Sequence, residues 1–129
     1  MLREKLRKIL DRPSTSDLLD ELEHLLNKMI EDYKPISVII TGSLANSKFI
    51  RGMSDIDILI VVERSPDKYN RFLLKAVKDV NVEISIYSMD EVVQSILSGN
   101  QFIVEAIDKG IEVYGHAKEK LKRIKLYGG

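Results

Sequence analysis

The 129-residue sequence contains no cysteine and no tryptophan, and its formal charge sums to zero from 20 basic and 20 acidic side chains. Without cysteine there are no disulfides, no thiolate metal sites and no cysteine nucleophile. With no net charge, bulk electrostatics give no support to non-specific binding of nucleic acid. The only histidines, His24 and His116, lie far apart and outside any ligand-like cluster, which argues against a zinc centre. No apolar run approaches the roughly 20 residues needed to cross a bilayer, so no membrane association is expected. The opening MLREKLRKILDR interleaves charge with leucine and reads as neither signal peptide nor anchor, which gives a cytoplasmic expectation. Abundant Lys, Glu and Ile without Cys or Trp fits a heat-adapted source.

Apolar residues make up 44% and charged residues 31% of the chain, enough for one core in one domain. Leu2, Leu6, Ile9 and Leu10 recur at helical spacing before Pro13. Leu18, Leu22, Leu25, Leu26 and Met29 repeat the pattern before Pro35. His24 falls on the polar side of this second helix. The stripe of the first helix is read as packing on its own domain, with an oligomerisation element, and so a homo-oligomer, as the alternative. Ile36 to Ile40 reads as a strand buried on both faces and Asp55 to Val62 as a second. Asn81 to Tyr87 alternates as a third. Between the last two, the apolar Phe72, Leu73, Ala76 and Val77 predict a helix over about 67–79, capped by Ser65, Pro66 and Asp67. Helices follow over 89–97 and 101–109, then a short edge strand over 111–114. A frayed basic helix over 116–126 carries Lys118, Lys120, Lys122, Arg123 and Lys125; it is read as a solvated face, and as the one stretch that could touch RNA or an acidic partner. The fold class is α/β (α+β), a mixed sheet of three to four strands flanked by helices. The chain divides into N-terminal helices over 1–35, a core over 36–115 and a basic tail over 116–129.

The stretch TGSLANSKFIRGMSDIDILIVV, residues 41–62, carries the chemistry. Residues two apart on a strand point the same way, so Asp55 and Asp57 share a face, their Cα atoms about 6–7 Å apart. Two such carboxylates can converge on one cation, and magnesium takes one or two carboxylates plus substrate phosphate. In NVEISIY, Glu83, Ser85 and Tyr87 face one way, and Glu83 can sit beside Asp57 if the two strands are neighbours. Three converging carboxylates repel unless a cation relieves them. Gly42 lets backbone approach a ligand closely, and Ser43 offers a hydroxyl and an N–H to phosphate. Lys48 and Arg51, in the connecting loop, are candidates for meeting a departing pyrophosphate. Tyr87 is a candidate for the border of an adenine pocket.

Gly42-Ser43 followed by SDIDILIVV at 54–62 resembles the nucleotidyltransferase superfamily that includes DNA polymerase β, and in size its minimal nucleotidyltransferases. The resemblance covers about residues 36–114. It implies that Asp55, Asp57 and Glu83 are catalytic and bind Mg2+ (or Mn2+), while Gly42 and Ser43 hold the phosphates of ATP or another nucleoside triphosphate. The implied reaction moves a nucleoside monophosphate, AMP from ATP first of all, to an acceptor hydroxyl. It also implies a HEPN-domain partner, with this chain as the antitoxin of a toxin–antitoxin pair. Three features depart from the family pattern: a longer linker of eleven residues between Ser43 and Asp55, Asn46 where arginine is common, and Glu83 where aspartate is usual. They keep a non-catalytic alternative open, a nucleotide-sensing or partner-masking module.

Overall fold

The computed structural model describes residues 2–65 and 71–128. Two helices, α1 (Leu2–Ile9) and α2 (Leu19–Tyr33), precede the first strand, β1 (Ser37–Thr41), and a single helical turn follows it, α3 (Gly42–Ala45). Next come β2 (Ile56–Val62), β3 (Phe72–Val77) and β4 (Val80–Ser88), then α4 (Met89–Ser98) and α5 (Gln101–Lys109), and finally β5 (Ile111–Gly115) and α6 (Lys118–Gly128). The five strands form one sheet in the order β3-β4-β2-β1-β5. Only β2 and β4 run parallel; the other three pairings are antiparallel. Five strands exceed the three to four expected because β3 stands where a helix was predicted. Among the described residues no helix is long and apolar enough to cross a membrane.

The alternating side chains of the central strands feed two cores. Val38 and Ile40 of β1, Ile56, Ile58 and Ile60 of β2, and Val82, Ile84 and Ile86 of β4 face α1 and α2, meeting Leu6, Leu10, Leu22, Leu26 and Met29. Ile39, Leu59 and Val61 face the opposite way and meet Val92, Ile96, Ile103, Ile107 and Leu121 of the last three helices. A strand with helices on both faces is buried at every position, as β1 is, and its middle residues Val38, Ile39 and Ile40 are all apolar. Each aliphatic side chain fully buried in this way contributes about 1.5–3 kcal/mol.

The helix expected over 67–79 is corrected at its described end. Residues 66–70 lie outside the described residues, and 72–77 form a strand paired antiparallel to β4, with Val77 opposite Val80. Four apolar residues at 72, 73, 76 and 77 fit a helical stripe as well as a strand. What decides is the two-residue turn Lys78-Asp79, where Lys78 takes a left-handed φ of 55°. That turn lacks the Asn-Gly or Asp-Gly signature that announces a hairpin. Its geometry is held from outside, since the Lys78 N–H donates to Glu21 of α2.

Of the two terminal helices, α6 is more firmly built in than the sequence suggests. The stripe of α1 packs on its own domain, the first of the two readings of its sequence, with Leu6 fully buried. The basic helix α6 is docked, with Ala117 and Leu121 buried against the second core. His24 and His116 are both exposed.

Candidate active site

Register brings the acidic residues together. In the parallel pairing of β2 with β4, Asp57, the second residue of β2, lies directly opposite Glu83, the fourth of β4. Their neighbours Ile56, Val82, Ile58 and Ile84 are fully buried on the other face, so the two carboxylates project towards the side of α4, α5 and α6. Those helices cover Leu59 and Val61 farther along β2 and leave the Asp57–Glu83 end half-buried. Asp55 stands one residue before β2 and is half-buried as well.

This placement has an electrostatic cost. Burial pushes the Asp57 carboxyl up from 3.8 to about 6, helped by a hydrogen bond and repulsion from Glu83 and by the more distant charge of Asp55. Nothing in the packing requires two acids here, because Ser or Thr would satisfy the same strand positions without repulsion. A hard divalent cation would relieve the strain by binding both oxygens, so the donor set fits such an ion. Among the described residues, however, no three acidic or histidine side chains are gathered into a ready-made metal cage. The structure assembles the pair Asp57–Glu83, and Asp55 acts on it through charge alone.

The phosphate-side residues sit on the adjacent strand. Thr41, the last residue of β1, is opposite Asp57, so the chain turns into α3 beside the carboxylate. Gly42 makes that turn with a φ of 72°, and a methyl group at its Cα would overlap Oδ2 of Asp57. Glycine is therefore required twice, by backbone conformation and by space. Ser43 follows, half-buried, at the mouth of the same turn. Asn46 escaped the sequence reading as a support: its Nδ2 donates to the Gly42 carbonyl at 3.0 Å and closes the helical turn. Its position four residues after Gly42 is the one signal that could have revealed it.

Lys48 is exposed, and no side-chain ion pair ties it down among the described residues. Arg51 is different. Its guanidinium bonds Asp17, Asp79 and the Ser14 carbonyl, at 2.6–2.8 Å in the shortest contacts. It ties the loop over 49–54 to the start of α2 and to the β3–β4 turn. The hydrogen bonds from Arg51 hold Asp17 down at about 2. Arg51 is thus a loop anchor with its donors engaged, and it is not brought to the carboxylates as a pyrophosphate contact. Tyr87 lies partly buried beside the second core and lines a cavity of about 200 Å³ with Arg71, Phe72 and Ser85.

The fold has a counterpart among solved structures. A nucleotidyltransferase-like protein from Exiguobacterium sibiricum matches with a TM-score of 0.51 at 14% identity, over 81% of this chain. The chain spans only 37% of that protein's length. No curated protein sequence matches. A family model described as "Nucleotidyltransferase domain" matches residues 22–122, from the first turn of α2 into α6 and farther at both ends than the sequence resemblance. Most of the chain, including the turn at Gly42 and the acidic pair on β2 and β4, falls within that match, and the chain belongs to the nucleotidyltransferase domain family.

Proposed function

We propose that this chain transfers a nucleoside monophosphate, AMP from ATP in the first instance, to an acceptor hydroxyl with release of pyrophosphate. The observation that carries the proposal is the cross-strand pair Asp57–Glu83, with Asp57 packed against the backbone of Gly42 at the open end of the sheet. In the transfer, the acceptor oxygen bonds to the α-phosphorus while the bond from that phosphorus to the bridging oxygen breaks, and pyrophosphate leaves with the electron pair. The acceptor's proton passes to solvent at the open end of the sheet, since Asp57 and Glu83 act in their ionised forms. The bare backbone at Gly42 lets the triphosphate approach the strand end, and the Ser43 hydroxyl and Lys48 ammonium orient its terminal phosphates.

Members of this family generally use divalent metals. Mg2+ or Mn2+ would be held by Asp57 and Glu83, with Asp55 at the mouth; once bound, it neutralises phosphate charge and lowers the pKa of the attacking hydroxyl. The proposed acceptor is a hydroxyl on a protein partner of HEPN type, which would make this chain the antitoxin of a pair. Transfer of label from α-labelled ATP in host lysate tests the reading. A labelled band that requires both Asp55 and Asp57, judged against the double asparagine variant, supports it, and the band's sensitivity to protease or nuclease identifies the acceptor class. Equal labelling by both forms overturns the residue assignment.

A second reading is favoured by one observation, the lack of a ready-made three-ligand cage among the described residues. In it, the chain senses nucleotide or masks a partner without turnover. Binding and masking that survive in the double asparagine variant, together with no labelled product, would support that alternative.

A further inference from the structure

Between α1 and α3, away from the acidic pair, lies a cavity of about 420 Å³. That is the size of a small-molecule site. One wall carries the cationic side chains of Lys5, Lys8 and Arg12, and the apolar floor is made by Ile9, Leu44 and Ile111. Among the described residues Asp11 is the only acid at its edge. None of the three cations has an ion pair or side-chain hydrogen bond among the described residues. Arg3, on the same helix, shows what a structural cation does here: it is paired with Asp20 and Glu23. Three unpaired cations around one cavity repel each other, and folding gains nothing from placing them there.

We propose that this cavity is a second ligand site, which binds a small phosphorylated molecule of the nucleoside monophosphate class. The phosphate would meet Lys5, Lys8 and Arg12, and the planar, less polar body would lie on Ile9, Leu44 and Ile111. The charge balance of three cations to one acid matches a dianionic phosphate. An all-apolar ligand would leave the cations unsatisfied, and inorganic phosphate alone would leave the apolar floor wet. The three cations lie before the stretch matched by the nucleotidyltransferase family model, whereas Leu44 and Ile111 of the floor lie within it. It does not depend on the transfer reaction proposed above. Its occupant would nonetheless touch Leu44 and Ala45, which belong to the same helical turn as Gly42 and Ser43.

The test is a titration of the full chain with AMP, followed by amide NMR in buffer containing EDTA, so that metal-dependent binding at Asp57 and Glu83 is suppressed. The expected result is shifts centred on Lys8, Ala45, Ser47 and Ile111 at millimolar AMP or below. Binding should weaken about tenfold for each cation removed in Lys8→Ser and Arg12→Ser, both at exposed positions. Adenosine should bind at least about tenfold more weakly than AMP for lack of the phosphate. Shifts confined to Gly42, Asp57 and Glu83 would overturn the proposal. So would AMP affinity unchanged in the Lys8→Ser/Arg12→Ser variant, or a response to single-stranded RNA with none to AMP, which would make this face a nucleic-acid contact.

Discussion

Asp57 meets three opposing influences at once: partial burial, a carboxylate across the strand at Glu83, and a second carboxylate upstream at Asp55. Replacing it tests function and stability in opposite directions. Asp57→Asn should lower nucleotidyl transfer at least about a hundredfold, as the loss of a group acting on the transferred phosphate does. The same change removes a like-charge contact, so the metal-free melting temperature should rise, by the equivalent of about 1 kcal/mol after allowing for solvent at a half-exposed group. A variant that loses both activity and stability would mark Asp57 as a structural residue. Gly42→Ala should harm both, for a different reason. Its methyl overlaps Oδ2 of Asp57, and its φ of 72° is costly for alanine, by about 1–2 kcal/mol. Chemical denaturation gives the second number, and label transfer should fall further than the stability change explains. These two positions show what the sequence reading could reach at this scale. The Gly-Ser and Asp-x-Asp pattern was legible because few structural reasons place such residues before an apolar strand. The support of the turn by Asn46 and the commitment of Arg51 to Asp17 and Asp79 were not, because each depends on partners that folding alone brings near.

Among the elements, α1 and the 49–54 loop divide cleanly into core and frame. Leu6 is fully buried on the sheet face of α1, so Leu6→Ala should cost about 2–5 kcal/mol in urea unfolding and leave the oligomeric state unchanged in sedimentation. A change of oligomeric state with little loss of stability would return α1 to the role of a dimer contact. Arg51 holds its loop through exposed ion pairs, whose worth is small individually and greater as a network. Arg51→Ala should speed amide exchange over 49–54 and at the Lys78-Asp79 turn while retaining more transfer activity than Asp57→Asn. If instead it equals Asp57→Asn in activity with exchange unchanged, Arg51 touches the nucleotide after all. The strand β3 teaches the limit of periodicity. Apolar residues at 72, 73, 76 and 77 satisfy both a helix and a strand, and the choice is made by the free edge of β4 and by Glu21, which holds the turn.

For the molecule as a whole, the acidic pair links folding to pH and metal. Below about pH 3.8 the Asp57 carboxyl is protonated folded or unfolded and makes no difference to stability. From there to about pH 6 the folded chain holds a proton that the unfolded chain releases, so metal-free stability falls as pH rises. Above about pH 6 the deficit is constant. The rise from 3.8 to about 6 bounds it near ~3 kcal/mol, and solvent access at a half-buried group reduces it to about 1 kcal/mol. On the proposed function Mg2+ would bind only the ionised pair, so it should raise the melting temperature at about pH 7.5 by the equivalent of about 1.4 kcal/mol at ten times its dissociation constant. At pH ~4.5 it should do little, and an equal response at both values would remove the pair as its site. By itself the sequence determined the class of the fold, the strands at 36–40, 55–62 and 81–87 within a residue or two, and the carboxylates worth testing. It could do so because alternation, helical spacing and turn chemistry act over a few neighbours. Only the tertiary structure decided that β2 and β4 lie side by side with Asp57 against Glu83, that β3 is a strand, that α6 is docked, and that Lys5, Lys8 and Arg12 surround one cavity with α3. Each of those depends on residues brought together across the chain, where sheet order and packing set the neighbours and local pattern has no voice.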